Sequence, residues 1–120
     1  MVTTEVAMMV AKQHLDIPRA AIQEWIEALT PDVLHHKRTS RTVVQFYLKV
    51  FAVQYRKLQH AYPNAKADVI TPVAIARTTQ TLSTSAVISE HADCFTQMWQ
   101  DRMWQLQSQE HQLVKTNPSW

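Results

Sequence analysis

The sequence has no glycine in its 120 residues. Dinucleotide-binding folds and phosphate-binding loops need glycine where the backbone closely approaches a phosphate, so both motifs are excluded. Tight hairpins built on Asn-Gly or Asp-Gly are missing as well, which disfavours a sheet-rich protein. Helices lose nothing by lacking glycine, so we expect an all-α, compact helical domain.

Cysteine and long apolar runs are scarce too. The single cysteine, Cys94, has no partner within the chain, so a secreted disulfide scaffold is not indicated. No apolar run reaches the length of a membrane span, and the N-terminus has no basic, cleavable leader pattern. The default expectation is a cytoplasmic protein with no membrane partner, folded as a single domain over residues 1–120.

Carboxylates are absent from a long central part of the chain. No acidic residue lies between Asp32 and Asp68, although the whole sequence has 12 Lys and Arg against 10 Asp and Glu. Both flanking parts are net acidic. The cations in the carboxylate-free interval are Lys37, Arg38, Arg41, Lys49, Arg56, Lys57 and Lys66. Such an asymmetry suggests a polyanion partner.

Prolines and capping residues predict where the first helices begin and end. A first helix is expected from about Thr4 to Leu15, with Glu5 favourably placed in its first turn. Pro18 suits the first position of a second helix over 18–29. Thr30-Pro31 ends that helix, because the residue before a proline is pushed out of the helical region.

Three further helices are predicted. A buried central helix, from about residue 40 to residue 62, is apolar over most of its surface. Its one polar stripe is expected to contain Gln45, Lys49, Ala52, Arg56 and either Gln59 or His60. Thr71-Pro72 predicts the start of a short helix, and a long C-terminal helix should follow over about 85–114.

The segment "AKQHLDIPRAAIQEWI" has small and apolar residues at the spacing of a helix-turn-helix unit. Ala11 and Leu15 fit its first helix, Ile17 its turn, and Ile22 and Trp25 the buried face of its second helix. Over about residues 4–60 the chain resembles helix-turn-helix DNA-binding regulators, most closely the MerR-type and excisionase-like winged regulators. This resemblance implies a DNA-binding part, 4–62, and a helical dimerisation part, 71–114.

The resemblance also implies a set of DNA contacts. The second helix would present Arg19, Ala20 and Gln23 to the major groove, where Arg and Gln side chains bond guanine and adenine edges. The following basic segment would hold phosphates and so fix the register on the duplex. Its expected contacts are His36, Lys37, Arg38, Ser40 and Arg41. A plain helical hairpin followed by a solvated basic loop is the alternative interpretation.

Lys49 and Arg56 lie seven residues apart on the predicted polar stripe of the central helix. They would extend a phosphate-binding surface, or they would pair with carboxylates of the acidic flanks. Pairing is favoured, because the carboxylates of the two acidic flanking segments must lie opposite some other part of the protein. The candidate carboxylates are Glu24, Glu27, Asp93 and Asp101.

The C-terminal helix contains two tryptophans, Trp99 and Trp104, five residues apart, so they cannot share one narrow face. Trp is enriched at interface hot spots. In the regulators that this chain resembles, a long helix of this kind makes a dimer. The expected oligomer interface is Trp99, Met103, Trp104 and Leu106, and the alternative is that Trp104 packs under the chain's own N-terminal helix.

No catalytic constellation stands out in the sequence. His91 and Cys94 lie three residues apart and would make half a metal site, but a satisfied histidine beside a buried thiol is the commoner arrangement. Neighbouring carboxylates disfavour a reactive Cys94 thiolate. We therefore expect no catalytic residues, no metal, no cofactor and no small-molecule substrate.

Charge and resemblance together favour a sequence-specific DNA-binding transcriptional regulator, a dimeric repressor whose partner is double-stranded DNA. Two alternatives stay open. One is a phage-type DNA-packaging recognition subunit, and the other is an all-α protein-interaction adaptor whose basic surface docks an acidic partner. A DNA-binding protein should bind duplex with an affinity that falls steeply as the salt concentration rises, whereas an adaptor should show little affinity for duplex near physiological salt.

Overall fold

The computed structural model describes residues 4–10, 12, 14, 16–29 and 31–116. The chain is all-α over these residues, as expected, and no strand occurs among them. No helix found there is long and apolar enough to cross a bilayer. The helices are α1 (Thr4–Val10), α2 (Arg19–Ala28), α3 (Pro31–Leu34), α4 (Arg41–Ala61), α5 (Ala67–Ser85) and α6 (Ser89–Thr116).

The central helix α4 begins and ends where its flanking residues predict. Ser40 is its N-cap, and the Ser40 hydroxyl accepts a hydrogen bond from the backbone N–H of Val43 at 3.3 Å. At the other end the N–H of Tyr62 closes the last turn on the carbonyl of Leu58 at 2.8 Å, and Pro63 follows. Both bounds of α4 lie within one residue of the prediction.

An aromatic stack joins α2, α4 and α6 in the core. Trp25 of α2 is fully buried between Phe51 of α4 and Phe95 of α6, with ring centroids 5.5 and 6.4 Å apart and nearly parallel planes. Tyr47 of α4 meets Phe95 edge-on at 5.1 Å. The expectation of a buried central helix is confirmed, and one continuous core spans residues from both 4–62 and 71–114.

Several helix bounds differ from the prediction, among them the start of α6 at Ser89 instead of about residue 85 and the end of α5 at Ser85 instead of about Leu82. Helix α1 ends at Val10 instead of Leu15, Lys12 lies in a three-ten turn and His14 is not helical. Ala11 and Leu15 themselves lie outside the described residues. Before α2 the N–H of Ile17 donates to the carbonyl of His14 at 3.1 Å.

Helix α5 begins at Ala67, ahead of the predicted start at Thr71-Pro72, and Pro72 lies inside it. The hydroxyl of Thr71 donates back to the carbonyl of Ala67 at 2.6 Å, so it does not cap a helix start. Pro72 removes one helical hydrogen bond, the one to the carbonyl of Asp68. Asp68 is exposed near the start of the helix, where water can satisfy that carbonyl.

The predicted polar stripe of α4 is only partly right. Ala52 is buried, whereas Phe46 and Val53 are exposed by 37% and 39%. The helix is covered by its contacts with α1 and α5 and by the aromatic stack with α2 and α6. The uncovered side, which we call the open face of α4, consists of Thr42, Phe46, Lys49, Val53, Lys57 and His60.

Candidate nucleic-acid interface

The loop between α3 and α4, residues 35–40, is fixed to the body of the protein by a buried polar network. Thr39 is buried, and its hydroxyl donates to the carbonyl of Val33 at 2.6 Å. The same oxygen lies 3.5 Å from Nε2 of His91 on α6, and Nδ1 of His91 lies 2.9 Å from the hydroxyl of Tyr47 on α4. Because the Thr39 proton is engaged, the network is satisfied when Tyr47 donates to Nδ1 and the Nε2–H points to Thr39.

His91 is neutral in this network. Burial lowers the pKa of His91, and the nearby His36 imidazole lowers it further, against an opposing effect of Glu90. The expectation of a satisfied buried histidine is therefore confirmed. The network ties the loop to two helices, and it engages the hydroxyl of Thr39.

Around this fixed point the loop exposes its cations. Lys37, Arg38 and Arg41 are all exposed at the N-terminal end of α4. Nη1 of Arg38 lies 3.1 Å from Oε1 of Glu90, and the two side chains are 69% and 49% exposed. Such an exposed pair contributes little to stability, so Arg38 is able to exchange Glu90 for a phosphate at small cost.

Two neutral residues of the predicted phosphate set have structural roles. The Ser40 hydroxyl caps α4, as described above. His36 is half-buried, its Nδ1 accepts the backbone N–H of Arg38 at 3.1 Å, and its ring meets His91 edge-on at 5.3 Å. These contacts shape the loop, and the exposed cations at this end of α4 are Lys37, Arg38 and Arg41, of which Arg38 is paired with Glu90.

The open face of α4 continues the cationic surface along the helix. Lys49 and Lys57 are exposed there, and α4 contains no carboxylate over its whole length. Neither lysine has an acidic partner in the described part of the chain. Lys57 was not placed on this surface from the sequence, although its helical spacing from Lys49 would have pointed to it. The exposure of Phe46 and Val53 has no such signal, because their apolar periodicity assigns them to the core.

Arg56, at the edge of the open face, is paired. Its Nε and Nη2 lie 2.6 and 2.8 Å from the two carboxylate oxygens of Asp16. The hydrogen bonds from Arg56 lower the pKa of Asp16 to about 2. The pairing expected for Arg56 is confirmed, but the partner is none of the predicted carboxylates; the pairing expected for Lys49 is wrong.

The structure separates the predicted DNA contacts into two groups. Arg19, at the start of α2, shares a cavity with Gln59, near the C-terminal end of α4. The basic loop precedes Arg41, at the N-terminal end of α4. From the helical rise, these two ends lie about 27 Å apart.

The exposed side of α2 is mixed in charge. Arg19, Ala20 and Gln23 are exposed, as the resemblance requires, but Glu24 and Glu27 are exposed with them. The amide nitrogen of Gln23 donates to Oε1 of Glu27 at 3.1 Å. A helix that approaches DNA with two carboxylates repels phosphates, so the basic loop and α4 offer the better surface for the backbone.

The four residues expected to form an oligomer interface do not share one surface. Leu106 is buried in the core, and Trp99 is half-buried against it. Met103 and Trp104 are exposed by 47% and 67%. The alternative in which Trp104 packs under the N-terminal helix is wrong, and Met103 with Trp104 remain the accessible part of the predicted interface.

Beside the loop lies an open cavity of about 790 Å³ that is mixed in charge. Its lining includes Arg38, Glu90, His91 and Cys94. Burial raises the pKa of the Cys94 thiol, and Asp32 and Asp93 raise it further. In the described ranges no three metal-ligating side chains come together.

No protein-family model, curated protein or solved structure matches this chain.

Proposed function

We propose that this protein binds double-stranded DNA, and that the basic loop and the open face of α4 hold its phosphate backbone. The observation that carries the proposal is a set of exposed cations without a carboxylate partner among the described residues. They are Lys37, Arg41, Lys49, Lys57 and Lys66. Exposed cations that neutralise phosphates bind a duplex by releasing its condensed counterions.

The finer form of this proposal is a sequence-specific regulator, a dimeric repressor that acts by occupying an operator. In that form α2 reads base edges through Arg19 and Gln23 while the loop holds phosphates. The separation of about 27 Å between the two ends of α4 corresponds to roughly eight base pairs of duplex. A single DNA segment is therefore long enough to touch both groups.

The backbone proposal is tested by anisotropy titrations of a fluorescent random-sequence duplex at several salt concentrations. The variant Lys49→Gln with Lys57→Gln removes two positive charges from the open face. We expect weaker binding and a salt slope smaller by about two, because each lost phosphate contact removes about one released counterion. The variant Gln107→Glu with Ser108→Glu changes the net charge equally on exposed positions of α6, and it should keep the wild-type slope.

If the wild type has no affinity for duplex at low salt, the DNA proposal is wrong. If both variants weaken binding equally, net charge rather than the open face is responsible. The regulator form has its own test, in which Arg19→Ala with Gln23→Ala lowers affinity for a selected binding site more than for random duplex. Equal losses on both duplexes would leave backbone binding without base reading.

A second candidate, a protein-interaction adaptor, is favoured by Phe46 and Val53. They are exposed between the lysines of the open face, and such a mixture suits an amphipathic helix with acidic residues. The variant Phe46→Ala with Val53→Ala should leave the DNA salt slope unchanged under the first proposal. Binding of an acidic amphipathic peptide, together with no binding of duplex, would favour the adaptor. The DNA-packaging alternative shares the DNA surface and is distinguished by assembly beyond a dimer.

A further inference from the structure

A separate cavity opens at the other end of α4. It has a volume of about 770 Å³ and lies where α1, α2 and the C-terminal end of α4 meet. Small-molecule sites commonly have volumes of about 300–1,000 Å³ and combine an apolar lining with a few placed polar groups. This cavity has both properties, and the basic loop contributes no residue to it.

Part of the cavity wall is apolar. Ile17 and Ile22 are buried residues of the lining, and Met8 of α1 is half-buried beside them. Apolar atoms of a ligand that contact these side chains leave water, which is favourable in proportion to the area covered.

The rim is cationic. Lys12 and Arg19 line the cavity, both are exposed, and neither has a carboxylate partner in the part of the chain that the structure describes. Asp16 is the one carboxylate in the lining, and Arg56 engages both of its oxygens, at 2.6 and 2.8 Å. The lining therefore has two cations that remain available to an anion.

The backbone adds to this preference. Pro18 and Arg19, at the start of α2, border the cavity, and no side chain caps that helix end. Uncapped N–H groups at a helix start favour negative charge nearby. His14, also in the lining, has its Nδ1 3.2 Å from Nη2 of Arg56. Burial and Arg56 lower the pKa of His14, so near neutral pH its imidazole adds no charge of its own.

We propose that this cavity binds a small amphipathic organic anion. Its apolar body lies against Met8, Ile17 and Ile22, and its acid group is held by Lys12 and Arg19. No small molecule was expected from the sequence. The cavity shares no residue with the basic loop or the open face of α4, so the proposal is independent of backbone binding there; it shares only Arg19 with the regulator form of DNA binding. The class of ligand follows from the two halves of the site, one that excludes water and one that supplies unpaired cations.

The test compares octanoate with 1-octanol, which has the same chain length and no charge, in a titration of the isotopically labelled full chain followed by amide NMR. We expect saturable shifts for octanoate in residues 8–22 and around Gln59. Octanol should bind at least about tenfold more weakly, because charge-assisted hydrogen bonds to the cations are missing.

The variant Lys12→Gln with Arg19→Gln should reduce octanoate affinity to that of octanol and leave octanol affinity unchanged. Both side chains are exposed, so the fold should be preserved, and the amide spectrum verifies it. The matched control, Lys49→Gln with Lys66→Gln, removes the same charge elsewhere and should leave octanoate affinity intact. Equal affinity for the two ligands, shifts confined to other parts of the chain, or no saturable shift would each overturn the proposal.

Discussion

At the scale of single residues, the hydrogen bond between Tyr47 and His91 connects α4 to α6 and, through Thr39, to the basic loop. Tyr47 and His91 are 44 residues apart along the chain, and Thr39 and His91 are 52 residues apart. Sequence reasoning expected His91 to be satisfied, but it had no means to name the partners. Such pairs depend on how distant helices pack, and spacing along one helix does not contain that information.

Replacing Tyr47 by Phe should destabilise the protein by about 1–3 kcal/mol. The ring keeps its packing against Phe95, but Nδ1 of buried His91 loses its hydrogen-bond donor. Urea unfolding measures the change. Tyr62→Phe, at a half-buried position with no described side-chain hydrogen bond, is the control and should change stability much less. Equal stability of Tyr47→Phe and the wild type would show that water replaces the hydroxyl.

Stability should fall as the pH decreases from about 8 to about 5.5. The pKa values of His91 and His14 are lowered from 6.5 in the folded protein, so below pH 6.5 the unfolded chain binds more protons than the folded one. Protonation therefore favours unfolding in this window. Asp16 and Glu90, whose pKa values are also lowered, contribute only at more acidic pH.

Urea midpoints across this pH range provide the measurement. His91→Gln should flatten the dependence, and adding His14→Gln should flatten it further. His60→Gln removes an exposed histidine and should leave the dependence intact. A wild type that is equally stable at both ends of the range would contradict the prediction.

At the scale of helices, Trp25 is the contact through which α2 meets both α4 and α6. Trp25→Ala should cost about 3–5 kcal/mol, because it removes a fully buried ring from between Phe51 and Phe95. Trp104→Ala, the same substitution at an exposed position of α6, should change monomer stability by less than about 0.5 kcal/mol. Chemical unfolding of both variants at low protein concentration makes the comparison. A small loss for Trp25→Ala would mean that α2 is not packed on this core.

Local signals predicted α2 and α4 well, because Pro18 and Ser40 act within one helical turn. They failed at α5, where Thr71-Pro72 looks like a helix start but lies inside a helix. The open face of α4 could not be derived either, since apolar periodicity assigns Phe46 and Val53 to the core. Which side stays open is decided by the helices that pack around α4. The amphipathic cavity was missed for the same reason, because its residues come from three helices and from the connection between α1 and α2.

At the scale of the whole molecule, lysines and arginines differ in ion pairing, although Arg19, Arg41 and Arg102 form no ion pair with a described residue. All three ion pairs among the described residues use arginine: Arg38–Glu90, Arg56–Asp16 and Arg77–Glu110. Four of the five unpaired cations in the carboxylate-free interval are lysines. The lysine ammonium group is a point charge on a flexible side chain, whereas the arginine guanidinium is a rigid planar group. A flexible point charge suits contact with the phosphates of any DNA sequence. The surface is therefore better matched to backbone binding than to selective base contacts.

Dimerisation is the remaining expectation at this scale. If α6 forms the interface through Met103 and Trp104, Trp104→Glu should shift the protein from dimer to monomer in sedimentation equilibrium, because a buried unpaired carboxylate is strongly unfavourable. Val87→Glu adds the same charge at another exposed apolar position, before α6, and should leave the association unchanged. A wild type that sediments as a monomer at all concentrations would remove the dimer from the proposal.

The absence of glycine has a consequence for how the molecule moves. No described residue has a positive φ angle, so each described connection between helices is made with ordinary backbone geometry. Glycine hinges, which let lids and domains swing, do not exist in this chain. Any hinge motion on binding must therefore use residues other than glycine at the ends of helices or in the connections between them. An alanine scan of this chain would accordingly report side-chain contributions, without the backbone effects that glycine replacements introduce.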